Sequence, residues 1–145
     1  MTLHDILQIK GSKVFTILPT ARLGEVVRQL VQHNCGSLLV CNDPHESPSM
    51  LGIITERDIL RACAERHGSI DDVPVTDYMS TDMITGTPQN SVEHIMGVMT
   101  DNRIRHLPVM EDNQLVGMIS IGDIVKAQYR QTLVENHYLK SYIYG

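Results

Sequence analysis

The sequence predicts a mixed α/β (α+β) fold built from two copies of a strand–helix–strand–strand–helix unit. Apolar runs of strand length alternate with stretches of helical periodicity, and the pattern of the first half returns in the second. Pro88 follows Pro19 by 69 positions (88 − 19), whereas Asp123 follows Asp58 by 65 (123 − 58). The offset changes in a hairpin loop that is longer in the first copy, where insertions are tolerated. One copy alone would be marginally stable, so the two are expected to pack together.

The elements of the first repeat follow from its side-chain pattern. β-branched residues predict a strand, apolar residues at helical spacing predict a helix, and two apolar runs predict a hairpin before a second helix. In order, these are a strand at Val14–Ile17, a helix from Leu23 that stops at Gly36, strands at Ser37–Cys41 and Leu51–Ile54 around a polar loop at Asn42–Ser49, and a helix from Glu56 to about Arg66, closed by Gly68. A short helix at Leu3–Ile9 precedes them, with Leu3, Ile6 and Leu7 on one face.

The second repeat has the same order after a polar linker at Ser69–Pro74. Its predicted elements are a strand at Met83–Thr85, a helix carrying Val92, Ile95, Met96 and Met99, strands at His106–Met110 and Leu115–Ile119 around the tight loop Glu111–Gln114, and a last helix from about Ser120. The predicted domains are residues 8–68 and 76–135, followed by a tail at 136–145.

Each repeat contains a stretch in which a strand runs directly into a helix. Gly52–Asp58 and Gly117–Asp123 each have a glycine, two apolar residues, a hydroxyl residue, two variable residues and an aspartate. A helix N-terminus exposes unpaired N–H groups and the positive end of the helix dipole, which favour a phosphate. The hydroxyl and aspartate also fit a capping box. Duplication of the whole unit, which capping does not require, favours a binding site.

The composition is that of a globular protein, with 145 residues, 42% hydrophobic and 20% charged, and a net charge of −5. The acidic balance argues against nucleic acid or an anionic membrane surface as a partner. No apolar run has the length of a membrane span, and the first residues do not resemble a signal peptide. Three cysteines in apolar surroundings are expected to be buried free thiols, which predicts a cytoplasmic protein.

The sequence contains no constellation typical of catalysis or of metal binding. Its seven histidines are scattered, with no helical His pair and no Cys/His knuckle, and no P-loop motif is present. We therefore expect neither an enzyme nor a metal cofactor.

These repeats resemble a tandem pair of CBS domains, the module named after cystathionine β-synthase, in small stand-alone bacterial proteins. The resemblance covers about Gly11 to Gln131 and is carried by Thr55–Asp58, Arg105–Val109 and Ser120–Asp123. It implies a pseudo-twofold pair with two clefts that bind AMP, ADP, ATP, NAD(H) or S-adenosylmethionine as a regulatory ligand.

The resemblance also implies the roles of individual residues. Asp58 and Asp123 would hold the ribose, and Thr55 and Ser120 would lie at the phosphate. The full set of expected nucleotide-binding residues is Thr16, Ile17, Gly36, Ser37, Gly52, Ile54, Thr55, Arg57, Asp58, Thr85, Arg105, His106, Leu107, Pro108, Gly117, Ile119, Ser120, Gly122 and Asp123. Adenine would lie near Thr16–Ile17, Thr85–Gly86 and the second strand of each repeat.

The two copies differ where Gly36-Ser37 of the first is matched by Arg105-His106 in the second. Arginine binds phosphate strongly through two parallel hydrogen bonds. The alternative for Arg105 is a solvated surface charge. We therefore expect the two clefts to differ in charge, and one to bind a phosphorylated ligand better than the other.

The candidate functions are a non-catalytic nucleotide sensor that signals to a regulated protein, a structural interaction module without a ligand, and a nucleotide-processing enzyme. The sensor is favoured, and the enzyme is the weakest candidate because no base, nucleophile or metal site accompanies the cleft. A homodimer is also expected. Apolar surface for it is offered by Leu60, Cys63, Val125, Tyr129 and the tail stripe of Tyr138, Leu139, Tyr142 and Ile143, which could instead fold back on its own module.

Overall fold

The structure is a computed structural model that describes residues 1–42 and 49–144. These residues form five α-helices, five strands and one short 3₁₀ helix. In chain order the elements are α1 (Leu3–Lys10), β1 (Thr16–Ile17), α2 (Leu23–His33), β2 (Ser37–Cys41), β3 (Met50–Thr55), α3 (Glu56–Glu65), the 3₁₀ helix Val75–Asp77, α4 (Val92–Asp101), β4 (His106–Glu111), β5 (Gln114–Ser120) and α5 (Ile121–Tyr144).

Two compact units divide the chain. One is Val14–Met83, which contains the first repeat. The other combines Met1–Lys13 with the chain from Ile84 onward, so the second repeat shares its unit with α1.

The unit Val14–Met83 is organised around a three-stranded sheet in the order β1-β2-β3. β1 pairs with β2 in parallel, and β2 pairs with β3 antiparallel. All five residues of the central strand β2 are buried, as expected for a strand that is apolar on both faces. The hydrophobic core joins this sheet to α2 and α3 and includes Leu23, Val26, Leu38, Val40, Ile54 and Ala62.

The unit with the second repeat is built on the antiparallel hairpin β4–β5, with His106 opposite Ser120 and Glu111 opposite Gln114. Asp112 and Asn113 form its two-residue turn at φ values of 51° and 61°. Both angles are in the left-handed region that such turns need and that Asp and Asn tolerate. The predicted tight loop is confirmed, and the strands extend further into it than expected.

Helix α1 packs against the core of the second repeat. Its predicted apolar face is confirmed, since Leu3, Ile6 and Leu7 are buried in the cluster that contains Val109 and Ile119. At Gly117 in β5, a Cβ atom would lie 2.6 Å from Leu7 Cδ2. Glycine at this position therefore lets α1 approach the strand closely.

The prediction of a strand at Met83–Thr85 is wrong. One bridge replaces it, between Gly86 and Val109, through Gly86 N to Pro108 O at 2.9 Å and Met110 N to Gly86 O at 2.8 Å. β-branched residues favour an extended chain, but a strand needs a partner along its length, and only Gly86 has one here.

Three further expectations are corrected. β1 begins at Thr16, two residues later than predicted. Helix α2 ends before Gly36, because Asn34 takes the left-handed C-cap conformation at φ 48°. Cys63 is exposed, whereas Cys41 is buried and Cys35 is intermediate. Most of the predicted polar loop, residues 43–48, lies outside the described residues.

The last helix, α5, begins directly after Ser120, close to where the sequence placed it. Its first turns contribute Ile124 and Ala127 to the core. From Tyr129 to Ile143 every residue is exposed, and Tyr142 retains 89% of its surface. The tail therefore continues α5 as a helix and does not fold back on its own unit.

Candidate functional site

The first strand–helix junction is formed by β3 and α3, which follow each other without an intervening residue. Thr55 is the N-cap of α3, and Asp58 is its third residue. Asp58 Oδ2 accepts hydrogen bonds from Thr55 N at 2.9 Å and Thr55 Oγ1 at 3.0 Å, and Thr55 Oγ1 accepts one from Asp58 N at 3.4 Å. This is a complete capping box.

The second junction, between β5 and α5, repeats this geometry. Asp123 Oδ2 accepts from Ser120 N at 2.8 Å, and Ser120 Oγ accepts from Asp123 N at 3.1 Å. Capping and ligand binding are therefore not exclusive. In both copies the cap hydrogen bonds fall on Oδ2, and the second carboxylate oxygen is not part of the cap.

Each junction is completed by the residue that precedes the neighbouring strand. Glu56 N donates to Gly36 O at 3.1 Å, and Ile121 N donates to Arg105 O at 2.8 Å. The adjacent strand residues pair with the N-caps, Ser37 with Thr55 and His106 with Ser120.

These contacts define a half-site in each unit. The first is Gly36, Ser37, Thr55 and Asp58, and the second is Arg105, His106, Ser120 and Asp123. The fold thus brings together the central residues of each predicted set.

Several of the expected site residues are buried in the hydrophobic core. Ile54, Leu107 and Ile119 have no exposed surface, so none of them presents atoms to a ligand in this structure. A Cβ at Gly52 would lie 2.8 Å from Ser80 O and 2.9 Å from Met79 Sδ. Gly52, like Gly117, is thus required for packing within its own unit.

The residues expected near adenine occupy different settings. Thr16 and Ile17 line a cavity of about 220 Å³ together with Leu18, Thr20, Ala21, Glu25, Gln29 and Cys41. Neither Thr55 nor Asp58 lines this cavity. In the other unit Thr85 is exposed, next to the bridge at Gly86.

Cations lie at different positions in the two half-sites. Arg57 on α3 is matched by Gly122 on α5, and Gly36 is matched by Arg105. Both arginines are exposed. The half-sites therefore do not differ simply by one charge, because each has one exposed arginine, supplied by a different element.

Asp123 also binds a lysine, which the sequence did not suggest. Lys10 Nζ lies 2.7 Å from Asp123 Oδ2 and 2.9 Å from Met118 O. Burial raises the pKa of Asp123, but the hydrogen bonds from Lys10 and Ser120 outweigh it, so the pKa lies below its ordinary value. No local motif marks Lys10, because its role depends on which repeat α1 packs against.

At the first half-site the corresponding cation is Arg61 from α3 itself, at 3.4 Å from Asp58 Oδ1. Arg61 also donates to Tyr78 O at 3.2 Å, and its guanidinium lies 5.5 Å from the centre of the Tyr78 ring.

Within the part of the chain that the structure describes, no group of three or more His, Cys, Asp or Glu side chains could hold a metal ion. No helix in the described ranges is long and apolar enough to cross a membrane.

Comparison with known proteins agrees with this geometry. The family model of the CBS domain matches residues 2–65 and 75–130. The CBS domain-containing protein CBSX3, mitochondrial, of Arabidopsis thaliana is 37% identical over 99% of this chain and 72% of its own.

Two solved structures have the same fold. The CBS-domain protein ATU1752 from Agrobacterium tumefaciens matches with a TM-score of 0.83 and 34% identity, over 88% of this chain and 92% of its own. The CBS domain pair of MJ0100, in complex with 5′-methylthioadenosine and S-adenosyl-L-methionine, matches with a TM-score of 0.75 and 26% identity, over 90% of this chain and 98% of its own. With two family matches along its length and the same strand–helix junction in each, the chain belongs to the CBS-domain family as a tandem CBS pair.

Proposed function

We propose that this protein is a non-catalytic sensor of adenosine nucleotides that passes its ligand state to a regulated protein. AMP, ADP, ATP and NAD(H) are the candidate ligands. Each junction would hold the ribose hydroxyls on its aspartate, Asp58 or Asp123, and a phosphate at the helix N-terminus beside Thr55 or Ser120.

The observation that carries this proposal is the duplicated junction itself. A carboxylate, a hydroxyl, helix N–H groups and an exposed arginine occur together in each unit, although the arginine comes from α3 in one and from the residue before β4 in the other. Carboxylates accept hydrogen bonds from hydroxyls, and helix N-termini and arginines favour phosphate. The adenosine ligands of the MJ0100 pair support the same class of ligand here.

The identity of the ligand can be tested on the purified protein. Mass spectrometry of small molecules released on denaturation would identify a nucleotide that co-purifies. A nucleotide at about 100 times its Kd should stabilise the fold by roughly 2.7 kcal/mol, which is on the order of 5–10 °C in melting temperature. Absence of any shift with millimolar AMP, ADP, ATP and NADH would favour a structural interaction module instead.

We also propose that the protein forms homodimers through its exposed apolar helix surfaces. Leu60 on α3 and Val125 and Tyr129 on α5 are at least 60% exposed. Tyr138 and Tyr142 on the tail are 70% and 89% exposed. Aromatic side chains that one chain leaves in water are typical of interfaces.

Light scattering at tens of micromolar tests this association. The double variant Tyr138→Ser, Tyr142→Ser should weaken the dimer. Val31→Ser is the matched control, because Val31 is 76% exposed on α2, outside the tail. A monomeric parent protein would contradict the proposal, as would equal effects of the tail and control variants.

The free thiols of the described chain agree with a reducing compartment such as the cytoplasm.

A further inference from the structure

Lys10 makes a direct contact with the second half-site. It is the last residue of α1, and its ammonium donates to Asp123 Oδ2 at 2.7 Å and to Met118 O at 2.9 Å. The Lys10 side chain is 34% exposed and that of Asp123 is 16% exposed. The ion pair is therefore partly shielded from water. Lys10 is held at the end of α1, and Asp123 is held in the first turn of α5.

The position of Lys10 is set by the packing of α1. Leu3 and Leu7 are buried in the core of the same unit, and Leu7 occupies the space that Gly117 leaves above β5. Lys10 follows Leu7 by one helical turn. The packing of α1 therefore positions the Lys10 ammonium next to Asp123.

At the first half-site the cation at the aspartate is Arg61, which comes from α3 itself and contacts Asp58 Oδ1 at 3.4 Å. Met79 packs at Gly52 as Leu7 packs at Gly117, and the residue three positions after Met79 is Asp82, an acid, where Lys10 follows Leu7. Asp58 Oδ2 instead takes its two hydrogen bonds from Thr55 N and Thr55 Oγ1.

This difference matters for a ribose, whose two hydroxyls need free acceptor positions on the carboxylate. Each carboxylate oxygen has two lone pairs, and at Asp123 Oδ2 they are taken by Ser120 N and Lys10 Nζ, which leaves Oδ1 for a ribose hydroxyl. At Asp58 one of the two donors to Oδ2 is the Thr55 hydroxyl, which can rotate its hydrogen toward a phosphate and so release the lone pair. The contact on Asp58 Oδ1 is the longer one of 3.4 Å to Arg61, whose side chain is 53% exposed. Lys10 cannot leave Asp123 without breaking an ion pair.

We propose that Lys10 is a specificity-determining residue of the second half-site, where it occupies Asp123 Oδ2 in competition with a ribose hydroxyl until a ligand displaces it. The inference rests on the proposed function and deepens it. The second half-site should therefore bind a nucleoside more weakly than the first, and its occupation should release the C-terminal end of α1.

The test is titration calorimetry with adenosine, which carries no phosphate that Lys10 could attract. In the Asp58→Ala background only the second half-site can hold ribose through a carboxylate. Adding Lys10→Met should tighten adenosine binding there by about two- to fivefold, the range expected for a partly exposed ion pair. Lys140→Met is the matched control, because it removes the same charge from an exposed position on α5 that lies 17 residues (140 − 123) beyond Asp123.

The outcomes separate the two claims. Tighter binding with Lys10→Met but not with Lys140→Met supports the inference. Unchanged or weaker binding overturns it, and weaker binding would make Lys10 a ligand contact. If the parent protein binds no adenosine or nucleotide at all, the proposed function fails and this inference fails with it. Lys10→Gln, which keeps a neutral donor at similar length, repeats the comparison if Lys10→Met does not fold.

Discussion

Asp58→Ala is expected to damage both stability and ligand binding, and the two losses can be measured separately. Asp58 closes the capping box of α3 through hydrogen bonds of 2.9 and 3.0 Å to Oδ2. In the proposed function the same carboxylate also accepts the ribose hydroxyls. A residue that served only as a cap would affect stability alone.

The stability cost follows from the cap. Losing a helix N-terminal cap costs about 0.5–2 kcal/mol. The contact of Asp58 with Arg61 adds little, because it is 3.4 Å long and Arg61 is 53% exposed. For a chain of this size, each kcal/mol lowers the melting temperature by roughly 2–4 °C. The variant should therefore remain folded at room temperature.

The binding cost should be larger. Two hydrogen bonds between ribose and a carboxylate are each worth about 1.5–3 kcal/mol, so affinity at the first half-site should fall by a factor of about 100 or more. Calorimetric titration with AMP, with circular dichroism to confirm folding, measures this loss.

Ser91→Ala provides the matched control. Ser91 Oγ caps α4 by accepting from His94 N at 3.0 Å, and Ser91 belongs to neither half-site. This variant should lose a similar amount of stability and bind AMP as the parent does. The ribose assignment would be refuted if Asp58→Ala also bound AMP like the parent, or if both variants lost affinity equally.

Three further results are expected. Gly117→Ala should lower the free energy of unfolding by about 1–3 kcal/mol in chemical denaturation, because the added Cβ would lie 2.6 Å from Leu7 Cδ2 of α1. Gly97→Ala is the control and should be neutral or stabilising, because nothing lies within 4 Å of its added Cβ. The pKa of Asp123 is lowered in the fold, so its contribution to stability is present above about pH 4 and is lost as the pH falls through the folded pKa; acid titrations should show this loss reduced in Lys10→Met. Arg105→Ala should weaken AMP binding more than adenosine binding by calorimetry, and equal losses would argue against a phosphate contact.

Much of the fold could be predicted from the sequence because the apolar pattern is strong and occurs twice. The β2–β3 and β4–β5 hairpins and the helices after them form where the pattern placed them. The strand at Met83–Thr85 failed because its residues have β propensity without a strand to pair with. Local preference specifies an extended chain, but not whether a neighbour is available.

The centre of each half-site could also be predicted, since Thr55 and Asp58 are fixed by local spacing on one helix turn. Lys10 could not, because it reaches Asp123 only when α1 packs on the second repeat, 113 positions away in sequence. The pattern of Leu3–Lys10 predicts a helix with one apolar face and contains no information about which core that face covers.

The two repeats keep the same carboxylate and hydroxyl but draw their cations from different elements. Near Asp58 the cations are Arg57 and Arg61, both on α3, which correspond in the second copy to Gly122 and Lys126. Near Asp123 they are Arg105, before β4, and Lys10, from α1. A cation on the junction's own helix moves with that helix, whereas Lys10 links the junction to a separate element. Ligand binding at Asp123 should therefore displace Lys10, and we expect occupation of the second half-site to change the N-terminal helix.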